Sequence, residues 1–284
     1  MIVSNETFSV DVRVAKPRIL RMSNFEKLIS IMKTLRSDKG CPWDREQTHE
    51  SLRPYLIEEA YEVLDAIDAK DDNELKIELG DLLLQVVFHA QLAHEEGLFS
   101  IDDVSSAVSE KLIRRHPHVF GDAKADTSDQ VLTNWEKIKQ SEKGPGKKSV
   151  LDGLPSHLPA LLKAFRIQEK VARVNFDWQD IKAVFGKIRE EISELEEAHD
   201  STDQAAQEEE FGDLLFSLVN LARHLKVTPE DALRFTNEKF IRRFNYIEEK
   251  MSLTGESMDD ATLEQLDLLW DEAKRLEKKP VKSG

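Results

Sequence analysis

The chain has 284 residues, with 40 Lys and Arg against 55 Asp and Glu, and a formal net charge of −15 at pH 7. This acidic balance argues against sequence-independent binding of DNA or RNA, because phosphate contacts need clustered positive charge. No stretch approaches the ~18 apolar residues of a membrane span. The single Cys41 excludes an intramolecular disulfide and fits a reducing compartment. We therefore expect a cytoplasmic protein with neither a nucleic-acid polymer nor a membrane among its partners.

Helical spacing of apolar residues dominates the chain from its N-terminal region onward and predicts an all-α fold. Residues 1–21 lack the apolar core of a secretory signal and are expected to be a flexible leader. The Gly- and Pro-containing segment 144–148 predicts a linker between an N-terminal module, 22–143, and a C-terminal module, 149–284. Asp71-Asp72-Asn73 predicts a turn. The predicted helices cover 25–35, 54–69, 74–94, 101–115, 131–143, 158–175, 179–200, 204–225, 229–250 and 262–279.

The sequence repeats itself at an offset of 132 residues. Residues 55–90 align with 187–222 without a gap and share 13 identities in 36 positions. After a four-residue deletion, E-K-L-I-R-R at 110–115 aligns with E-K-F-I-R-R at 238–243. Because the period is the size of a domain, we interpret the repeat as a duplicated helical module and not as a solenoid.

Each copy carries two pairs of carboxylates at helical spacing. Within a pair the residues are three apart and share a helix face, and the short turn makes the two helices antiparallel neighbours. Four converging carboxylates beside apolar residues repel each other and lose hydration, and a divalent cation offsets both costs. All-oxygen ligands favour Mg²⁺, Mn²⁺ or Ca²⁺ over zinc. The two sets are Glu59, Glu62, Glu78 and Asp81, and Glu191, Glu194, Glu210 and Asp213.

Two other interpretations of this pattern stay open. A solvated acidic helix face is the ordinary origin of a single E-x-x-E pair, although the same set occurs at the same register in both copies. A carboxylate-bridged di-iron bundle needs E-x-x-H on two helices, and Asp stands here in place of His.

Gly80 and Gly212 lie inside predicted helices and suggest the close approach of a neighbouring helix.

A cluster of positive charge follows each acidic set. The spacing places lysine and arginine on one helix face, which suits a polyphosphate; the alternative is a surface cluster engaged in ion pairs. The clusters are Lys111, Arg114 and Arg115 in the first copy, and Lys239, Arg242 and Arg243 in the second.

His116 and His118 follow the first cluster. The second copy has Phe244 and Tyr246 at the corresponding positions, so we assign the two histidines a local structural role.

Specific motifs occur in both halves of the chain. The first half contains G-C-P-W-D-R-E-Q-T (40–48), E-E-A-Y-E-V (58–63), E-L-G-D-L-L-L-Q-V-V-F (78–88) and R-R-H-P-H-V-F-G-D (114–122). The second half contains N-F-D-W, E-E-I-S-E-L, E-E-E-F-G-D-L-L-F and N-E-K-F-I-R-R-F. From about Met22 onward, the chain closely resembles the MazG family of bacterial nucleoside triphosphate pyrophosphohydrolases. The resemblance implies tandem MazG-type helical-bundle modules related to dimeric dUTPases, and a homodimer.

The resemblance also implies hydrolysis of NTPs and dNTPs to the monophosphate and pyrophosphate with Mg²⁺, for cleansing or regulation of the nucleotide pool. Carried over by motif, the metal ligands would be Glu191, Glu194, Glu210 and Asp213, with a possible second metal site at Glu59, Glu62, Glu78 and Asp81. The nucleotide would contact Lys187, Glu190, Glu191, Glu209, Asp213, Lys239, Arg242, Arg243 and Trp270. In catalysis Glu190 would be the candidate base, and Lys239, Arg242 and Arg243 would stabilise the leaving pyrophosphate.

One difference between the two copies bears on the expected nucleotide site. Tyr55 stands in the first copy where Lys187 stands in the second, which predicts that the C-terminal module carries most of the turnover. The first copy would then bind metal with low or different activity. A non-enzymatic helical adaptor, which dimerises and binds partners, is the alternative function.

Overall fold

The computed structural model describes residues 22–142 and 149–277, and every regular element in these ranges is a helix. The all-α prediction is therefore confirmed. The predicted leader 1–21 and linker 144–148 lie outside the described residues. The chain divides into two compact units between residues 142 and 143. The first unit contains α1 (Asn24–Leu35), α2 (Pro42–Glu46), α3 (Arg53–Ala69), α4 (Asp72–Glu95), α5 (Ile101–Arg115), α6 (Pro117–Phe120) and α7 (Ser128–Ser141).

The second unit repeats the long helices of the first. It contains α8 (Ala160–Ala172), α9 (Ile181–Ser201), α10 (Gln204–His224), α11 (Pro229–Thr254), a short 3₁₀ helix (Met258–Asp260) and α12 (Leu263–Glu277). Two short helices, α2 and α6, begin where the sequence predicts only a helix stop. Each starts at a proline, whose missing N–H costs nothing in a first helical turn.

The same tight connection joins the central helices of both units. Lys70 (φ 55°) ends α3 and Thr202 (φ 60°) ends α9, both in the left-handed conformation. Asp71 and Asp203 follow directly, and each carboxylate accepts hydrogen bonds from the first backbone N–H groups of the next helix. The prediction of a three-residue turn at Asp71-Asp72-Asn73 is therefore wrong, since α4 already begins at Asp72. This connection sets α4 against α3 and α10 against α9 as antiparallel pairs.

The core of the first unit lies where α1 and the loop before α3 pack on α4. Met32 and Leu52 are each 1% exposed and contact a buried stripe on α4. That stripe is Val87, Phe88 and Leu92. Helical spacing places these residues on the α4 face opposite to its solvent side, so the C-terminal half of α4 anchors the unit.

In the second unit α10 packs on both α9 and α8, and α11 packs on α12. The buried apolar residues include Val184, Ile188, Val219, Ile247 and Met251. Gln168 on α8 ties two helices together, because its amide donates a 2.8 Å hydrogen bond to the backbone oxygen of Phe216 on α10.

Both central hairpins leave an apolar stripe exposed at matched positions. On α4 the stripe is Leu79, Leu83 and Val86, and on α10 it is Phe211, Leu215 and Leu218, with 39–54% of each residue exposed. Gly80 and Gly212 lie on these helices, and a Cβ built on either meets no other atom within 4 Å. The expected close helix approach at these glycines is therefore wrong within a single chain. Among the described residues, no helix is long and apolar enough to cross a membrane.

Candidate functional site

In the second unit the α9–α10 hairpin gathers three carboxylates. One oxygen from each of Glu191, Glu194 and Glu210 lies within 4.8 Å of the others. Glu191 is 3% exposed, whereas the Glu194 side chain is 45% exposed, so the group extends from the core to the surface. Asp213, the fourth predicted ligand, lies one turn further along α10 and is not part of this group.

The first unit gathers a related group on the α3–α4 hairpin. Here the three residues are Glu59, Glu78 and Asp81, again with oxygens within 4.8 Å of one another, while Glu62 is outside. Two positions are common to both groups, since Glu59 and Glu78 correspond to Glu191 and Glu210. The third ligand comes from the first helix in one unit and from the second helix in the other.

The carboxylates perturb one another. Burial, followed by the nearby charges of Glu191 and Glu210, raises the pKa of Glu194, although the charge of Lys187 lowers it. Burial and the charge of Asp81 raise the pKa of Glu59. Glu78 behaves in the same way, because burial and the charge of Glu62 raise its pKa. Such shifts mean that a cation placed among these oxygens would stabilise the charged carboxylates.

Lys187 supplies positive charge at the edge of the second group. Its Nζ lies 2.8 Å from Glu190 Oε1, 2.7 Å from Glu191 Oε1 and 4.0 Å from Glu194 Oε2. Hydrogen bonds to Glu190 and Glu191 raise the pKa of the lysine, so the ammonium stays charged. In the first unit Tyr55 occupies this position and contacts Trp43 edge to face, with ring centroids 5.9 Å apart. A neutral aromatic side chain therefore takes the place of the lysine in that unit.

Two of the predicted phosphate-binding residues, Arg242 and Arg243, form hydrogen bonds with α12. Arg242 Nε donates to Glu277 Oε1 at 3.0 Å, and Arg243 donates to Glu277 Oε2 through Nε at 2.9 Å and Nη2 at 2.6 Å. The Arg243 guanidinium lies 5.3 Å above the ring of Trp270, which also packs against Phe240 at 5.0 Å between centroids. The structure thus brings together Arg242, Arg243 and Trp270.

Other predicted residues do not join this cluster. Among the described residues, Lys239 makes no hydrogen bond or ion pair, and none links the arginines to the carboxylate group. The Glu190 side chain forms a hydrogen bond and ion pair with Lys187, and Glu209 lies next to Glu210 on α10. The carboxylate group and the arginine cluster are therefore separate features of the second unit.

Sequence reasoning missed Glu142 and Glu277, the carboxylates that bind the arginines. The first unit holds Arg114 and Arg115 on Glu142, with the Arg115 guanidinium 5.2 Å above Trp135. A tryptophan followed seven residues later by glutamate occurs in both copies, at an offset of 135 residues. This spacing, which extends the repeat to the last helix of each module, is the signal that could have revealed them.

A cavity of about 450 Å³ lies beside the N-F-D-W motif in the second unit. Phe176 and Trp178, which are 78% and 43% exposed, contribute aromatic rings. Buried polar groups also line it: Gln168 Oε1 and Arg223 Nε have no hydrogen-bond partner among the described residues. Asp177 of the same motif pairs with Arg223. Aromatic rings with unsatisfied polar groups can take a flat heterocycle.

Known proteins are similar in sequence to both halves of the chain. The MazG nucleotide pyrophosphohydrolase domain matches residues 47–120 and 179–247. The nucleoside triphosphate pyrophosphohydrolase/pyrophosphatase MazG of Thermotoga maritima is 54% identical over 250 residues, which is 88% of this chain and 95% of that protein. The nucleoside triphosphate pyrophosphohydrolase of Escherichia coli K12 is 48% identical over 260 residues, covering 90% of this chain and 99% of that protein.

A crystal structure of a MazG-related protein from T. maritima covers 40% of this chain and 98% of its own, at 28% identity and a TM-score of 0.36. The T. maritima and E. coli proteins that match about nine tenths of this chain are both named as nucleoside triphosphate pyrophosphohydrolases. Their names confirm the prediction of an enzyme over that of an adaptor. The match of a MazG domain in each half confirms that the resemblance extends over both copies. The chain belongs to the MazG nucleotide pyrophosphohydrolase family.

Proposed function

We propose that the protein hydrolyses nucleoside triphosphates, both NTPs and dNTPs, to the monophosphate and pyrophosphate with Mg²⁺, and that the second unit carries most of this activity. The observation that supports this proposal is the convergence of Glu191, Glu194 and Glu210 beside Lys187. The family and the names of its relatives support a triphosphate as substrate.

The carboxylate group fits a hard divalent cation. Mg²⁺ binds oxygen ligands at about 2.1 Å, and three carboxylate oxygens that lie within 4.8 Å of one another could share one such ion after side-chain adjustment. Glu191, Glu194 and Glu210 would hold the ion, with Asp213 completing the set after a side-chain rotation. Mn²⁺ would also suit these oxygens. When bound, the ion would polarise phosphate oxygens and lower the pKa of water.

Residues outside the carboxylate group would accept the proton and bind the phosphates. Glu190 would be the base that accepts a proton from water, and its 58% exposed side chain, which pairs with Lys187, leaves it accessible to solvent. Lys187 would stay charged beside the phosphates. Lys239, Arg242 and Arg243 would bind the leaving pyrophosphate, whose charge increases as the bond to the α phosphate breaks.

The cavity beside Phe176 and Trp178 would take the nucleobase. Trp270 is the other candidate from the sequence, but its ring already contacts Phe240 and Arg243. The cavity offers both exposed aromatic rings and polar groups that lack partners, and unsatisfied polar groups discriminate strongly between related ligands. We expect Trp178→Ala to alter the ranking of bases more than Trp270→Ala.

A homodimer would cover the exposed apolar stripes. Leu79, Leu83 and Val86 in the first unit, and Phe211, Leu215 and Leu218 in the second, border the carboxylate groups. Stripes of this kind mark interaction surfaces, and a second copy supplies a matching one. The proposed setting is the cytoplasm, where the enzyme would cleanse or regulate the nucleotide pool without a nucleic-acid polymer or membrane as partner.

The first unit would bind a second metal ion with low or different activity. Glu59, Glu78 and Asp81 provide the oxygens, with Glu62 within one turn. The missing lysine at Tyr55 leaves its carboxylates without the cation that Lys187 supplies in the second unit.

The test is product analysis with γ-labelled nucleoside triphosphate, Mg²⁺ and no added pyrophosphatase. We expect the label in pyrophosphate, none of it when a chelator is present, and turnover to differ among a panel of bases. Label released mainly as orthophosphate, with nucleoside diphosphate left behind, would refute the proposal.

A further inference from the structure

The two arginine clusters share one atomic arrangement. In each unit the first arginine donates through Nε to Oε1 of a glutamate, and the second donates through Nε and Nη2 to Oε2 of the same glutamate. The distances run from 2.5 to 3.0 Å in the first unit and from 2.6 to 3.0 Å in the second. The pairs are Arg114 and Arg115 on Glu142, and Arg242 and Arg243 on Glu277.

Burial follows the same pattern in both copies. The first arginine of each pair is largely exposed, with side-chain exposures of 54% for Arg114 and 62% for Arg242. The second is largely covered, at 17% for Arg115 and 15% for Arg243. The covered guanidinium lies over a tryptophan in both units, which fixes its plane. Two copies that diverged at Tyr55 and Lys187 therefore keep this local geometry.

Each glutamate lies between two cations. The adjacent positive charges of the two arginines would otherwise repel each other, and the carboxylate that they share offsets this repulsion. Each group of two arginines and one glutamate keeps a net charge of +1.

Glu277 accepts hydrogen bonds from only some of the N–H groups of the two arginines. It occupies both Nε groups and one Nη group, and among the described residues no hydrogen bond involves Arg242 Nη1, Arg242 Nη2 or Arg243 Nη1. These N–H groups can still donate to phosphate, for which the planar guanidinium is well suited. A held guanidinium also loses less freedom on binding than a mobile one.

We propose that Glu277 is a positioning residue, which holds Arg242 and Arg243 in the arrangement that binds the pyrophosphate part of the substrate. This inference rests on the proposed function, because it takes these arginines as phosphate ligands. It adds a residue that acts through the arginines and touches no reacting atom. The opposite role, a carboxylate that competes with phosphate for the arginines, predicts the opposite effect of its removal.

The experiment compares the full-length protein with Glu277→Gln, Glu277→Asp and Glu272→Gln. Glu272 lies on the same helix but bonds Tyr246 at 2.5 Å and Lys250 at 3.6 Å, so its variant controls for loss of one negative charge from α12. The measurements are kcat, KM for the Mg²⁺ complex of a nucleoside triphosphate, the inhibition constant of pyrophosphate, and circular dichroism.

We expect Glu277→Gln to raise KM and the pyrophosphate inhibition constant about tenfold, and Glu277→Asp to raise them about threefold, because small misplacements of a binding group are costly. The Mg²⁺ concentration for half-maximal rate should not change. Glu272→Gln should stay within about twofold of wild type, as expected for an exposed charge.

Pyrophosphate affinity that is unchanged or tighter in Glu277→Gln would overturn the inference, and tighter binding would identify the competing carboxylate instead. If Glu277→Gln does not fold, Glu277→Asp decides: affinities equal to wild type refute positioning. If the wild-type protein hydrolyses no triphosphate, the proposed function fails by itself. Calorimetric binding of pyrophosphate to wild type and Glu277→Gln then still decides the role of Glu277 by the same criterion.

Discussion

The ammonium group of Lys187 lies 2.7 Å from a carboxylate oxygen of Glu191, whose side chain is only 4% exposed. A buried carboxylate without a partner is strongly destabilising, so in the absence of metal this lysine is what makes the position of Glu191 tenable. A divalent cation would provide the same compensation. The pair would therefore couple the stability of the second unit to the occupancy of the proposed metal site.

Replacing Lys187 with Met should destabilise the metal-free protein by about 1–3 kcal/mol, because a buried acceptor loses its partner. Added Mg²⁺ should recover much of this loss by binding the same oxygens. Denaturant unfolding in chelator and in Mg²⁺ measures both effects. Lys182→Met is the control on α9, since the Lys182 ammonium makes no ion pair among the described residues. An equal loss in both media would contradict the coupling.

Glu194→Gln should lower turnover at least about 100-fold while circular dichroism and melting stay near those of wild type. Glu194 contributes one of the three clustered oxygens, but its side chain is 45% exposed, so its removal opens no cavity in the core. Asp213→Asn should also reduce turnover, through the fourth ligand. Wild-type turnover with Mg²⁺ in either variant would show that the ligand assignment is wrong.

The matched positions Glu59 and Glu191 separate the contributions of the two units. Because Lys187 pairs with Glu191 and Tyr55 stands at the matching position of the first unit, Glu59→Gln should keep more than about half of the hydrolysis. Glu191→Gln should lose nearly all of it, as expected for loss of a proposed metal ligand. Steady-state rates with Mg²⁺ measure this. Equal losses would instead mean that the units are equivalent or coupled.

Local patterns predicted most of the helices, because apolar spacing and caps act within a few turns. Asp71 was assigned to a turn since Asp-Asp-Asn has turn composition, yet the same composition caps a helix. Glu277, which bonds both Arg242 and Arg243, was missed for a different reason. Glu277 lies 35 residues from Arg242, and no local rule pairs residues on different helices.

The carboxylate site shows the same limit. Spacing placed Glu191 and Glu210 on facing helices, which the structure bears out. It could not tell whether the third oxygen comes from Glu194 or Asp213, because this depends on side-chain rotamers. It likewise could not show that Leu79 and Phe211 would be exposed, since apolar residues beside a core stripe look alike in sequence.

Glu142 should make the stability of the first unit depend on pH in the acid range. Hydrogen bonds from Arg115 and Arg114 lower the pKa of this carboxyl from 4.5 to about 2. A carboxyl with a depressed pKa in the folded state stabilises the fold above its unfolded value, and this contribution is lost as the pH falls through the folded value. Glu142→Gln should therefore lower the melting temperature at pH 7, and its difference from wild type should shrink from pH 4.5 downward and be largely lost by pH 2. Scanning calorimetry of both proteins between pH 2 and pH 7 measures this difference.

Glu50→Gln is the control, because it makes the same charge change at an exposed residue that has no arginine partner in the described part of the chain. Its difference from wild type should show no such pH dependence. A difference between Glu142→Gln and wild type that stays constant down to pH 2 would show that the arginines do not hold the charged form of Glu142.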